Sequence, residues 1–480
     1  MITTAPPFVP AATGRRRTVA LYVVLLASFL DLMDSSVVNV ALPPIQHDLH
    51  TSYETVQWVL TGYTLAFAVL QITAGRLGDI IGHKRMFLIG VAGFTITSAL
   101  CGASRDGAQL IGLRVAQGVL AAAMVPQVLS ILQAMYPPAE RGRAMGAFGA
   151  LAGLATVGGP IIGALLTSGD LAGLGWRSIF FVNVPIGVLT LVLGASVLPN
   201  SSAANAPRVD WTGVALSTVG LFLIVYPLVQ GRSAGWPAWV FDMLMAGILV
   251  LAGFVVQQHV RRRRGASPML DTGLFRYRSL NGGLLTLLLF MGGVIGFFLI
   301  FTVYLQNGLG YGVLRAGLTG IPWGIGVPAF AGLSAGVLTP KLGRTGVQIG
   351  IVLTVAGLLG LMWTISVATT PWQFAPALFV GGAGMGLVVA ALIDFTLSEV
   401  PVAAAGSASG LYNTVQQLAA ALSLAGIATI FFDQLGTAPA PATFTTALRG
   451  TLWVEVVIFA LALAASFLLP RTVTYHQRTS

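Results

Sequence analysis

The chain has 480 residues, of which 56% are hydrophobic and 8% charged, and its formal net charge is +10. A soluble globular domain carries about a quarter charged residues, so the composition excludes a water-soluble fold and indicates an integral membrane protein. A single cysteine, Cys101, rules out an intrachain disulfide or a thiolate metal cluster.

Apolar runs of about twenty residues, the length that crosses a hydrocarbon core of roughly 30 Å, recur along the whole chain. They predict helices at 19–42, 55–78, 86–104, 109–135, 143–167 and 176–198, then at 211–230 and 238–258, then at 280–306, 313–338, 346–367, 372–396, 405–432 and 450–470. The expected architecture is all-α: fourteen transmembrane helices grouped 6 + 2 + 6. Residues 1–18 precede an N-terminal six-helix bundle at 19–198. Two linker helices and a basic loop fill 199–279, and a C-terminal six-helix bundle at 280–470 leaves a tail at 471–480.

An even number of spans places both termini on one side, and basic residues choose the side. With cytoplasmic termini, nineteen of the 25 basic residues fall in inner segments. Only Arg105, Arg177, Arg232, Arg315 and Arg449 fall in outer connections, and Arg114 lies within span four. Topology therefore accounts for the positive charge, and nucleic acid is not expected as a partner. Arg15 to Arg17 stand before the first apolar run as in a signal peptide, but no small-residue cleavage pattern follows, so a retained span is expected. The loop RRRRGASPMLDTGLFRYRSL reads as a solvated positive linker, with Leu270, Leu274 and Phe275 allowing it to lie on the membrane surface. No outer connection is long enough for a folded extracellular domain, which argues against a receptor.

The first span contains LDLMDSSVVNVALPPI, Leu30 to Ile45, with two acids in an otherwise apolar run. Taking the Ala41-Leu42-Pro43 sequence as the outer stop, Asp31 lies roughly 16 Å deep and Asp34 roughly 12 Å, at 1.5 Å per residue. Arg114, entering from outside on span four, lies at about 8 to 10 Å, so it is expected to meet Asp34. The three-residue spacing places Asp31 and Asp34 on one helix face. Desolvation and a like-charged neighbour favour the protonated acid and an adjacent arginine the ionised one, so the trio reads as a protonation switch. A fixed salt bridge packing spans one and four is the alternative. Asp394, Asp242 and Glu455 are expected near span ends, where a charge costs less.

Further on, QWVLTGYTLAFAVLQITAGRLGDIIGHKR ends in a short inner turn with Gly75, Gly78, Asp79, Gly82, Lys84 and Arg85. LIGLRVAQGVLAAA surrounds Arg114 and Gly118, and GLATVGGPIIGA carries Gly153, Gly158, Gly159, Pro160 and Gly163. These glycines remove bulk and the proline permits a bend, fitting either a flexible seam or static helix packing. In spacing and order the three stretches resemble the loop, fourth-span and fifth-span motifs of the major facilitator superfamily. Together with the opening stretch and WRSIFFVNVPIG, they resemble its fourteen-span drug/proton antiporter branch. In the second half AGLTGIPWG and GSASGLYNTVQQLAAALSLA are the clearest similarities. Gln416 stands where members often have arginine, Ala164, Ala419 and Ala420 where they have glycine, and the second inner motif is reduced to GVLTPKLGRTG.

The resemblance implies a multi-pass protein of the inner (cytoplasmic) membrane, not an enzyme, that exports hydrophobic or amphipathic small molecules such as drugs or antibiotics by alternating access. A proton gradient would supply the energy without a cofactor, and a lipid-embedded monomer is expected. Asp34 becomes the principal proton acceptor, Asp31 its modulator and Arg114 the partner. Gly75, Asp79, Gly82, Lys84 and Arg85 form a cytoplasmic gate, and the Gly153 to Gly163 stretch a flexible seam. The substrate cavity is expected between the halves, with Gln127, Asn413 and Gln417 either contributing to it or forming interhelical hydrogen bonds. Proton-symport uptake, or a membrane scaffold without transport, are the alternatives. His47, His50, His83, His259 and His476 fall in loops or at span ends, so no metal site and no role for histidine in coupling is expected.

Overall fold

The computed structural model describes residues 14–136 except 52, 173–199, 210–266 except 232 and 233, 268, 270, 272–401 except 367 and 368, 404–435 and 440–472, with scattered residues between 140 and 169. Among them, twelve helices are long and apolar enough to cross a membrane. The first four are α1 (Arg15–Asp48), α2 (Tyr53–Ile81), α3 (His83–Gly102) and α4 (Gly107–Met135). After α5 (Asn183–Val197) come α6 (Trp211–Gln230), α7 (Ala238–Arg263) and α8 (Arg278–Val303). The shorter α9 (Ile321–Leu333) precedes α10 (Arg344–Thr364), α11 (Pro371–Leu397), α12 (Ala405–Leu435) and α13 (Pro441–Ser466).

Helix starts follow local chemistry. The Asp106 carboxylate accepts from the Gln109 N–H at 2.8 Å and opens α4. Thr370 and Gln373 form a reciprocal cap at α11, with Pro371 in its first turn, where the missing N–H costs nothing. Two ends differ from expectation. Pro43 and Pro44 do not stop α1, which runs on to Asp48; proline inside a membrane helix is tolerated where neighbours re-satisfy the freed backbone. At the other end of the chain, α13 starts at Pro441, nine residues before the apolar run that was expected to define it.

Of the expected fifth span, the described residues are helical, but Gly153, Pro160 and Ala164 lie outside the described set. The expected tenth span is a broken run: Val313–Thr319, then α9, then a π-turn at Ser334–Leu338 and a last turn at Thr339–Leu342.

Close glycine contacts fix the bundle. Gly118 of α4 lies on the backbone of Tyr63 in α2, and Gly350 of α10 faces Gly384 of α11, so any side chain there would collide with backbone. The α6–α7 hairpin docks through α6, where Tyr226 lies 5.9 Å from the Trp58 ring of α2, while α7 presents Phe241, Met245, Ile248 and Leu249 outward. Asp210 caps α6, accepts from Gln258 at 2.7 Å and pairs with Arg261 at 3.3 Å; Gln258 in turn accepts from the Leu270 N–H at 3.0 Å. Leu270 and Leu274 are therefore buried against the bundle rather than free on the membrane surface, and only Phe275 of that trio is exposed.

Candidate functional site

Asp34 and Arg114 meet as the depth count predicts. Arg114 Nη1 donates to Asp34 Oδ2 at 2.5 Å, and both side chains are essentially sealed, at 0% and 1% exposure. The pair sits in a polar cage. Gln117, one turn beyond Arg114 on α4, accepts from Arg114 Nη1 at 2.8 Å and donates to Asp34 Oδ1 at 3.1 Å. Asn183, at the start of α5, donates to the same oxygen at 2.9 Å, and Arg114 Nε donates to the Val59 carbonyl at 3.1 Å. The carboxylate thus receives three donors from two helices besides its own, as a buried charge requires.

Asp31 takes a different route. It points past Asp34 to the Tyr63 hydroxyl of α2, which donates to Asp31 Oδ1. The Tyr63 ring lies under the Arg114 guanidinium at 4.2 Å, within cation–π range. Tyr63 therefore touches both halves of the charged set through two ends of one side chain. Sequence reasoning did not single out Tyr63, Gln117 or Asn183, although all three lie inside the quoted motifs, and a polar residue at membrane depth is itself a signal.

On its other side Asp31 faces a cavity of about 420 Å³ between the two halves of the chain. Phe67, Met291, Phe298 and Met385 give it an apolar wall, and Gln71, Asn413, Gln416 and Gln417 supply amides. The expected Asn413 and Gln417 are present. Gln127 is not among the lining residues: its amide donates to the Ala74 carbonyl at 2.9 Å and its oxygen lies 2.8 Å from His83 Nδ1. Gly78 leaves the space into which Gln127 inserts.

That places Gln127 beside the expected gate. Asp79 pairs with Arg76 at 3.3 Å and stands 3.6 Å from His83 Nε2, and it accepts from the Ser407 hydroxyl of α12 at 3.3 Å. The last contact joins the first half of the chain to the second. Nearby, Gly410 of α12 lies against the backbone of Gln71 and Ile72. Gly75 is buried, Lys84 donates to the Ala195 carbonyl at 2.8 Å, and Arg85 is exposed. Gly82 turns the chain with φ 99°, a conformation suited to glycine.

Of the fifth-span glycines, Gly159 packs on Ser36 and Gly163 on the Val37 backbone, just beyond Asp34 on α1, while Gly158 has open space around it. Gly153 and Pro160 lie outside the described residues. Glu455, expected near a span end, instead occupies the middle of α13 and is fully buried. No group of three metal-ligating side chains occurs among the described residues.

The model of the Major Facilitator Superfamily matches residues 24–424. The chain belongs to this superfamily. Members are transporters rather than enzymes, so the twelve membrane-length helices make this a multi-pass membrane transport protein. Similar superfamily proteins include a probable actinorhodin transporter of Streptomyces coelicolor, 43% identical over 88% of this chain and 73% of the relative. A tetracenomycin C resistance and export protein of Streptomyces glaucescens is 34% identical over 84% and 74%. The multidrug efflux pump LfrA of Mycolicibacterium smegmatis is 32% identical over 87% and 82%. Among solved structures, the human organic anion transporter MFSD10 (TETRAN) superposes with a TM-score of 0.64 over 95% of this chain and all of that one, at 17% identity, a likeness of fold.

Proposed function

We propose that this superfamily member is a proton-driven exporter of hydrophobic or amphipathic small molecules. The observation that carries the reading is the chain of contacts from cavity to cage: Asp31 lines the cavity, Tyr63 holds Asp31 and lies on Arg114, and Arg114 holds Asp34. The names of the relatives, two of them an export protein and an efflux pump, support the direction of transport.

In this cycle the cavity takes substrate against its aromatic and methionine wall, and the amides satisfy the few polar groups of the guest; about 420 Å³ lies within the usual range for small-molecule sites. A proton arriving by the same cavity reaches Asp31 first. Protonation changes the bond to the Tyr63 hydroxyl, and a shift of that ring is felt by Arg114, whose hold on Asp34 determines whether Asp34 takes a proton. Substrate and proton then compete for one constellation, the requirement of antiport. The Asp79–Ser407 contact closes the cytoplasmic mouth while the cavity faces outward, and the fifth-span glycines let α1 slide when it reopens.

The topology that goes with this reading has fourteen spans in a 6 + 2 + 6 arrangement. The stretch 143–167 and the broken run around α9 are spans five and ten, both termini are cytoplasmic, and the working unit is a monomer in the cell membrane. A panel of hydrophobic antibiotics and dyes tests it: cells producing the protein should accumulate less of at least one compound, and Asp34→Asn should remove the difference. Accumulation that is unchanged by Asp34→Asn would remove Asp34 from the coupling role, and raised accumulation in producing cells would indicate uptake by symport.

A further inference from the structure

Glu455 is a further buried acid in a membrane-length helix, and the cycle above makes no use of it. It stands fourteen residues from the start of α13 and eleven from its end, roughly 21 Å and 16 Å along the axis, hence near the middle of the helix. Its side chain is fully buried, and neither carboxylate oxygen has a hydrogen-bond partner among the described residues. One turn further along the buried face of α13, the Phe459 ring packs on Gly293 and Phe290 of α8. One turn outward on α8, Gly296 meets Ser423 of α12, whose hydroxyl is also buried without a partner. Two unpaired polar groups thus occupy adjacent layers where α8, α12 and α13 come together.

Among the described residues no counter-charge is at hand. Arg449 is six residues outward on α13 and donates to the Ile365 carbonyl at 2.7 Å. Arg278 and Arg344 begin α8 and α10, and Arg344 is held by the Phe467 and Leu469 carbonyls. On α12, Asp433 lies ten residues outward and Tyr412 eleven residues inward of Ser423. The Tyr304 hydroxyl, in the turn that packs on α13, donates to the Ser366 carbonyl at 2.7 Å. An ionised carboxylate without donors in so apolar a place is far more costly than a neutral carboxyl.

We propose that Glu455 is a second proton-binding site, in the C-terminal half of the transporter, loaded in this conformation and opened to water when α8, α12 and α13 part. On opening, the carboxyl O–H bond breaks, the proton passes to a water molecule and the carboxylate remains hydrated until a proton from the other side restores the acid. The use of that proton in transport rests on the antiport reading; its presence does not.

Infrared spectroscopy of the full chain in lipid bilayers tests the site without any substrate. At neutral pH the wild type should show the carbonyl band of a protonated carboxyl that is lost in Glu455→Gln. In D2O this band should shift to its deuterated position faster than the buried helix amides exchange, because conformational opening rather than unfolding exposes it. Absence of a Glu455-dependent band, or exchange as slow as the core amides, overturns the proposal. Should Glu455→Gln fail to fold, Glu455→Asp, which keeps the acid and displaces its band, makes the assignment. Failure of the antiport reading would be seen separately, as export from wild-type vesicles that does not respond to an imposed proton gradient.

Discussion

The Asp34–Arg114 pair allows a sharp thermodynamic test. Arg114→Gln removes the 2.5 Å contact to Asp34 and the bond to the Val59 carbonyl, and leaves a carboxylate served only by Gln117 and Asn183. Asp34→Asn leaves the opposite fault, a sealed guanidinium without its anion. Breaking one side of a buried pair costs about 3–5 kcal/mol, most of it the penalty of the stranded charge. The double variant strands no charge, and a Gln–Asn pair of similar volume should be only about 1–2 kcal/mol less stable than the wild type. Thermal unfolding of the purified protein in one detergent, for all four members of the cycle, measures this. Two single variants that are strongly destabilised and a double variant that recovers most of the loss are the expected pattern. If the losses simply add, the two groups do not share a charge-compensated cage and the coupling argument built on Arg114 fails.

Other substitutions separate gate, cavity and surface. Ser407→Val removes the bond between the halves at Asp79 and should speed cysteine labelling at the inner mouth several-fold while substrate affinity is kept, as followed by the labelling rate of a cysteine introduced there. Gln127→Ala should alter that labelling rate too, but leave the compound profile in growth assays unchanged, because Gln127 does not line the cavity. Gly159→Val would drive a side chain into Ser36 and should lower yield and melting temperature by an overpacking cost of about 1–3 kcal/mol. At the outer end of α1, hydrogen bonds from Trp176 and Arg177 hold the Asp48 carboxyl below the usual carboxylate range. Its folded value is depressed, so its contribution is present above the ordinary range and is lost as pH falls through the folded value. Asp48→Asn should therefore cost at most about 1 kcal/mol at neutral pH, since Asp48 is half exposed, and nothing in strong acid, as unfolding at both pH values would show.

How much of this was legible in the sequence depends on what fixes each residue. The meeting of Asp34 and Arg114 follows from depth alone, because both are counted from the same outer face along helices of known rise. The parting of Asp31 from Asp34 does not: an i, i+3 spacing places two groups on one face, but Tyr63 of a different helix divides that face into a caged side and a cavity side. Depth alone left Gln127 open between a cavity role and an interhelical hydrogen bond, and the space opened by Gly78 draws it to the second, toward His83 and the Ala74 carbonyl. Glu455 was misplaced by an error of helix register. Hydropathy marks the apolar core of α13 but not its polar first turns from Pro441, so a residue near the helix centre is counted from a start nine residues too late.

The two first-span acids differ in their surroundings. Asp34, with three donors and 1% exposure, is enclosed by a cage that solvent does not reach without rearrangement. Asp31 lines the cavity, and its link to the cage is the hydroxyl of Tyr63. Tyr63→Phe keeps the ring under Arg114 and deletes only that link. If Tyr63 transmits the proton's arrival, the phenylalanine variant should still bind exported compounds, while export driven by an imposed proton gradient in vesicles should fall at least tenfold, the equivalent of one lost hydrogen bond of about 1.5 kcal/mol. Unimpaired gradient-driven export in Tyr63→Phe would mean that Asp31 reaches Asp34 without the tyrosine, and the relay would have to run through the substrate itself.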